Sequence, residues 1–335
     1  MKKTIIVVML LVTAAFAIDT SVLAQRRTPA PRKAAPSLLA SLPRADALAL
    51  INLRMLLDQA PKMFADDPAK LAQVNADLDR FKTSTGVDPR SIDQIAVGMR
   101  YTYPSEGISK IESVALARGT FNTASVIAAG RTAANGNFRE EKYAGRSIYV
   151  FSLNQQMKVL GVFTMKINDL AVCPLSNNLL ALGSLKTVKD AVDAVKTPSS
   201  TANQELIALA TKDPNAAVGF GGNVTPELLK TISLNEAAAK DLTTIRQVYG
   251  TVSVTEGNVE LAINARTLTA EDAKSLAGTL DGLKQLGSFV IAGRLSGPKG
   301  VVAKTALDNL RITTQGNELQ IRVAVPQSQL ASLLR

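Results

Sequence analysis

Apolar and polar positions alternate most regularly between Ile245 and Leu286. Val248 to Val254 is rich in β-branched and aromatic residues, and Glu256-Gly257-Asn258 supplies turn chemistry. Val259, Leu261 and Ile263 then alternate with Glu260, Ala262 and Asn264, the period of a strand with one face buried. After Thr269 the period changes. Ala273, Leu276, Ala277, Leu280, Leu283, Gly287 and Val290 recur at three- and four-residue steps, which predicts a helix from about Ala270 to Arg294. Thr269 reads as its N-cap. Glu271 and Asp272 follow in the first turn, where free amides and the helix dipole favour oxygen acceptors and negative charge.

A weaker copy of the same order runs from Ile92 to Arg131. Ile92-Asp93-Gln94-Ile95 stands where the later stretch has Ile245-Arg246-Gln247-Val248. A strand Ile95 to Thr102 follows, then a loop through Pro104 and Gly107, a second strand around Val114 and Leu116, and a helix capped by Asn122 or Thr123 that ends before Asn135-Gly136-Asn137. Gln94 and Gln247 are 153 residues apart and the caps Asn122 and Thr269 are 147 apart, so the copies differ by insertions.

Around these stretches the pattern predicts a strand at Ala47 to Leu53, a short helix Met55 to Phe64, and a helix opened by Asp67-Pro68 and stopped by Gly86. A hairpin is expected at Phe138 to Tyr143 and Ser147 to Phe151 around Ala144-Gly145. Further strands are expected at Val159 to Met165, Leu170 to Pro174 and Leu179 to Leu182. A helix capped by Ser184 carries Leu185, Val188, Val192 and Val195 on one side. Thr197-Pro198-Ser199-Ser200 marks a boundary between halves. Beyond it come helix Asn203 to Thr211, strand Ala216 to Phe220, a helix opened by Thr225-Pro226-Glu227, and an Ala-rich continuation from Asn235 to Leu242. Past the long helix, Gly297-Pro298 precedes a short one, and a hairpin at Leu310 to Val325 precedes a last helix from Pro326. Strands in runs joined by hairpins, with helices between the runs, predict an α+β fold. The expectation is two related halves, 38–197 and 198–335, each an antiparallel sheet packed on one face by helices.

Leu42-Pro43 with Ala47 to Leu53, Gly86-Val87-Asp88 with Ile92, Tyr143-Ala144-Gly145 with Ile148-Tyr149, and Gly183-Ser184 with Val188 and Ala191-Val192 come in this order. The order resembles exported bacterial proteins of uncharacterised function with tandem α+β halves. The resemblance spans most of the chain beyond its leader and rests on packing and turn residues. It implies a secreted or periplasmic setting and a duplicated fold, and it transfers no catalytic residue.

The N-terminus gives the destination independently. Met1-Lys2-Lys3 and the apolar Thr4 to Ile18 form a secretory signal, residues 1–24, cleaved after Ala24 in preference to Ala17. Its apolar run of about 14 residues falls short of the roughly 20 that cross a bilayer. Residues 25–37, with Pro29, Pro31 and Pro36 among Arg26, Arg27, Arg32 and Lys33, read as a disordered basic linker. The formal charge of +10 on 335 residues drops to +9 without residues 1–24, which hold Lys2, Lys3 and Asp19, and four of those charges sit in the linker. The remainder is too dilute for a nucleic-acid partner, and Arg100-Tyr101-Thr102-Tyr103 is the one short basic–aromatic cluster.

Chemistry is bounded mostly by what is missing. There is no histidine and one cysteine, so His-based triads, Cys-His catalysis and His or Cys metal sites are excluded. Cys173 sits in an apolar context, as a buried small residue does. Gly219-Phe220-Gly221-Gly222-Asn223 lies between a strand and the helix at Thr225, where phosphate loops lie. It lacks the Lys-Ser/Thr and the glycine spacing of those motifs, and a flexible turn or close backbone approach explains it better. Asp66-Asp67 and Glu140-Glu141 are the adjacent carboxylate pairs, the first at a helix start and the second on a strand where neighbours face opposite ways. No catalytic residue, cofactor or metal is assigned. The expected function is an exported, non-catalytic binding or structural protein of the bacterial cell envelope, its partner another protein, a lipid or a polymer. Two alternatives stand beside it: a secreted hydrolase using Ser/Lys or carboxylates, and a peripheral binder of anionic lipid or polymer through the Arg26–Lys33 arm.

Overall fold

The computed structural model describes residues 38–63, 68–105, 108–159, 163–196, 203–230, 241–255, 257–294 and 297–329. The expected signal peptide, the expected basic linker, Asp66-Asp67, the expected boundary at Thr197–Ser200 and most of the expected Ala-rich continuation after Asn235 lie outside them.

The strands are β1 (Ala47–Ile51), β2 (Ile92–Ser105), β3 (Ile108–Gly119), β4 (Phe138–Tyr143), β5 (Arg146–Val159), β6 (Phe163–Ser176), β7 (Leu179–Gly183), β8 (Val218–Asn223), β9 (Ile245–Thr255), β10 (Asn258–Thr267), β11 (Arg311–Gln315) and β12 (Glu318–Pro326). The helices are α1 (Leu53–Met63), α2 (Pro68–Thr85), α3 (Thr123–Ala133), α4 (Leu185–Lys196), α5 (Gln204–Ala210), α6 (Pro226–Lys230), α7 (Ala270–Arg294) and α8 (Gly297–Asp308). The α+β class is as read from the sequence. The strands, however, do not divide into one sheet per half. They form a single antiparallel sheet in the order β11-β12-β10-β9-β8-β1-β2-β3-β7-β6-β5-β4, closed at its centre by β1 against β8.

Outward from β1 the order is β1, β2, β3, then the returning β7 and β6. Outward from β8 it is β8, β9, β10, then β12 and β11, so the β4–β5 hairpin extends one side alone. The centre is locally two-fold. Ala49 pairs with Phe220, the Asn52 N–H donates to the Ala217 carbonyl and the Asn223 N–H to the Asp46 carbonyl, both at 2.8 Å. Gln94 and Gln247 make matching bonds there. Gln94 Nε2 donates to Asn52 Oδ1 at 2.7 Å, and Gln247 Nε2 to Asn223 Oδ1 at 3.1 Å.

Helices cover both faces of the sheet, not one. On the upper face the turn Leu38–Ser41, α4 and α5 bury Leu48, Ala96, Val114, Leu116, Ile148 and Tyr249 in the largest apolar cluster. On the lower face α1 and α8 cover Ile51, Val218 and Val252, α3 covers Phe151, Val172 and Leu180, and α7 covers Ile245, Ala265 and Leu319. Caps predicted from sequence hold these helices. Asn122 Oδ1 accepts from the Ser125 N–H at 3.0 Å, Ser184 Oγ from Thr187 at 3.2 Å, and Thr269 exchanges bonds with Asp272 in a reciprocal box.

Val159 to Met165 does not form a separate strand. Instead β5 and β6 pair antiparallel over most of their length, from Tyr149 opposite Val172 to Val159 opposite Phe163. The polar run Ser152 to Gln156 hid this, because there the pair runs past the end of β7 and no longer needs an alternating buried face.

Candidate functional site

Each sequence feature with chemical potential lands in a defined place. Gly219-Phe220-Gly221-Gly222-Asn223 is strand β8, and its glycines serve packing. A Cβ on Gly219 would lie 1.8 Å from the Ala210 carbonyl oxygen, and one on Gly221 3.1 Å from that of Leu206. Both glycines let α5 sit directly on the sheet. Thr225 caps the five-residue α6, its Oγ1 accepting from the Leu228 N–H at 3.2 Å and hydrogen-bonded to the Tyr103 hydroxyl. That hydroxyl is therefore not free for an anion. Tyr101 and Tyr103 are both half-buried, and the Tyr101 backbone N–H donates to Asp46 Oδ2 at 2.8 Å. Burial, with Asp46 nearby, pushes the Tyr101 phenol above its ordinary range.

Cys173 is fully buried under α4, and burial pushes its thiol up despite the partly offsetting charge of Arg146. Glu140 and Glu141 lie on opposite faces of the edge strand β4 and pair separately, Glu140 with Lys142 at 2.8 Å and Glu141 with Lys189 of α4. The arrangement that most resembles a Ser/Lys dyad is on the same hairpin, where Lys142 Nζ donates to Ser147 Oγ. Its electrostatics oppose catalysis. The Glu140 carboxylate, hydrogen-bonded to the ammonium, raises the Lys142 pKa, whereas a lysine base needs it lowered.

Two polar constellations were not visible as motifs. One sits where β3 meets the first turn of α4. Glu112 accepts from Lys110 at 3.0 Å and from Lys186 at 2.9 Å, and Lys186 also reaches Asp190 at 3.4 Å. Glu112 and Asp190, with Arg44, Arg100 and Thr187, line a shallow depression beside Gly98. The Lys186 hydrogen bond, then Lys110, holds Glu112 below the carboxylate range, and Glu112 in turn holds Lys186 above the usual lysine value.

The other constellation crosses β9, β10 and β12. Tyr249 is 1% exposed beneath α5, and its hydroxyl donates to Glu318 Oε2 at 2.7 Å while accepting from Lys212 Nζ at 3.3 Å. Arg266 grips Glu318 Oε1 through Nε and Nη2 at 3.2 and 3.0 Å. Its Nη1 reaches Glu205 at 3.2 Å and Gln247 at 2.6 Å. Burial and Glu318 push the Tyr249 phenol up. Burial would raise Glu318, but Tyr249 and Arg266 outweigh it and hold the carboxylate low. The only sequence signal for this network was Gln247 at its matched position. Tyr249 reads as one more strand aromatic, and Glu318 as a turn residue.

Beyond α5 the upper face of β10, β12 and β11 carries no helix among the described residues. Asn264, Gln320 and Thr313 form one lateral row, and Ala262, Arg322 and Arg311 the next. Arg311, Thr313 and Arg322 are exposed. Among the described residues no group of three or more Cys, Asp or Glu side chains is placed to hold a metal ion, and no helix is long and apolar enough to cross a membrane.

No protein-family model and no curated protein matches the sequence. Among solved structures the chain is similar to TP0453 in three crystal forms. Form III has a TM-score of 0.46 at 9% identity, covering 90% of this chain and 99% of that one. Form IV scores 0.44 at 10% identity, covering 88% and 95%. Form I scores 0.42 at 11% identity, covering 90% and 98%. The likeness is loose and carries no argument about the site.

Proposed function

We propose that this chain is an exported, non-catalytic binding protein of the bacterial cell envelope, and that its partner meets the open upper face of β10, β12 and β11. The signal-like N-terminus supports export. The observation that carries the non-catalytic reading is the direction in which the environment moves each perturbed group. Asp88, Glu112, Glu140 and Glu318 are held low, while Lys142, Lys186, Tyr101, Tyr143, Tyr249 and Cys173 are held high. Every one is moved away from neutrality. Proton-transfer and nucleophilic catalysis need the opposite, a carboxylate raised or an amine or thiol lowered toward the working pH.

A flat polar strand surface suits an extended or macromolecular partner better than a small substrate, which is usually held in a concave apolar pocket. The repeated element order along both sides of the sheet further supports a tandem duplication as the origin of the fold. A photo-crosslinking residue at Gln320 of the mature chain, used in its own cell envelope, is expected to trap one discrete partner, and the same residue at Lys142 is not. Equal capture at both positions refutes the surface. Hydrolysis of any ester or peptide substrate, abolished by Ser147→Ala, refutes the non-catalytic reading.

A further inference from the structure

Among the described residues the sheet has two unpaired edges, and their sequences differ in a way that decides what each can pair with. An unprotected edge strand is a template for another strand, and charged residues are the usual guard. At one edge β4 reads Phe-Arg-Glu-Glu-Lys-Tyr. In antiparallel pairing with a second copy, opposed side chains share a face, so the two-fold axis must pass through a residue. On β4 that residue is Glu140 or Glu141 at the centre, or Arg139 or Lys142 to either side. Each choice sets a charge against its own image, which is destabilising.

At the other edge β11 reads Arg-Ile-Thr-Thr-Gln. With the axis through Thr313, Arg311 meets Gln315, Ile312 meets Thr314, and Thr313 meets itself. No like charges oppose, and threonine pairs across strands are favourable. Arg311, Thr313, Thr314 and Gln315 are all exposed, and among the described residues β11 pairs only with β12.

The backbone fixes the geometry further. A two-residue turn, Gly316-Asn317, joins β11 to β12, so the closing pair Gln315 and Glu318 exchanges hydrogen bonds. Arg311, Thr313 and Gln315 then point their amides inward to β12, and Ile312 and Thr314 point theirs outward. We propose that β11 is a self-association edge: two copies pair antiparallel about Thr313, joining their sheets into one continuous sheet through the outward amides and carbonyls of Ile312 and Thr314. The inference does not rest on the partner-binding reading above. Because the chain carries a formal net charge of +10, the two copies repel at long range, and added salt strengthens the pair.

The test uses the chain's cysteine economy. Cys173 is buried, so an introduced thiol is the only accessible one. At the axis the Thr313 pair lacks mutual hydrogen bonds, which places the Cα atoms about 4.5 Å apart, within disulfide range. Thr313→Cys is expected to form a covalent dimer under mild oxidation, and Lys142→Cys on the opposite edge is not. Sedimentation of the unmodified chain is expected to show a monomer–dimer equilibrium that tightens between low and moderate salt. Thr313→Lys, which opposes two ammonium groups, is expected to weaken it by about tenfold or more. Thr314→Pro removes an outward amide while leaving the inward ladder intact, and is expected to give a folded monomer with unchanged circular dichroism. A strictly monomeric wild type at all concentrations, or crosslinking at position 142 equal to that at 313, overturns the proposal.

Discussion

Replacing Gly219 with alanine tests the way the centre of the molecule is packed. The new Cβ would sit 1.8 Å from the Ala210 carbonyl oxygen, about 1.6 Å short of the 3.4 Å at which ordinary contact begins. The obstacle is backbone in the last turn of α5, so no rotamer change relieves it. Either β8 or the helix must shift, and α5 carries Leu206, Leu209 and Ala210, which are 4%, 8% and 2% exposed and pack with Tyr249. Overpacking of this kind costs about 1–3 kcal/mol, and partial exposure of one leucine adds about 1–2 kcal/mol. The lower chain entropy of an unfolded alanine returns about 0.4–1 kcal/mol. The expected net loss is about 2–4 kcal/mol. Urea unfolding followed by far-ultraviolet circular dichroism measures it, since the chain has no tryptophan. The midpoint should fall with the slope unchanged. Gly278→Ala is the control. It lies inside α7 with nothing within 4 Å of a Cβ and an ordinary φ, so it should stabilise by about 0.5–1 kcal/mol. A Gly219→Ala cost below about 1 kcal/mol would mean that α5 does not rest on β8. A rise in melting temperature of the wild type in millimolar phosphate would return the segment to the phosphate-loop reading.

Four further outcomes follow from named groups. Glu112 and Glu318 titrate below the ordinary 4.5 when folded, so each contributes stability that is complete above that value and is lost as pH falls through its folded pKa. Glu112→Gln should therefore lower the neutral plateau of a stability–pH profile by less than about 1 kcal/mol and remove the matching fall from its acid limb, so that variant and wild type converge below about pH 4.5. Glu318→Gln should cost about 1–2 kcal/mol at pH 7 by weakening the bonds from Tyr249 and Arg266, and a loss under 0.3 kcal/mol would show that the network contributes nothing. Native protein should not react with a thiol reagent, and denatured protein should titrate one thiol per chain, because Cys173 is both buried and raised. A fluorophosphonate probe should leave Ser147 unlabelled, since the neighbouring ammonium stays protonated; labelling above the level of denatured protein would contradict that.

Local order in this chain is legible from local pattern. Thr269, Asn122 and Ser184 cap where periodicity says they should, Gly86 ends α2 at a φ of 70°, and α7 runs over the residues its apolar steps outline. What the pattern leaves open is non-local. Nothing in Ala47 to Ile51 or Val218 to Asn223 announces that these strands pair with each other across about half the chain, which turns two expected sheets into one. Helices on both faces were hidden for the same reason. Central strands apolar on both faces read as continuous runs, and periodicity cannot say which side a helix approaches from. The glycines of β8 were the available clue. Three glycines in five positions weaken a strand unless neighbours sit close, and here Gly219 and Gly221 lie under α5 while Gly222 lies against Ala47 of β1.

The site shows the limit more sharply. Glu112, Lys186, Tyr249, Arg266 and Glu318 carry no spacing signature, because each belongs to a different strand or helix and the sheet brings them together. Gln94 and Gln247 are the exception. Each bonds an asparagine at the end of its own half's first strand, so the match visible in the sequence marks a side-chain contact repeated on both sides of the β1–β8 junction. A residue matched between the two stretches serves the frame that both sides share. Residues found on one side alone, such as Tyr249 or the threonines of β11, are where the two sides differ, and the surface proposed for a partner lies among them.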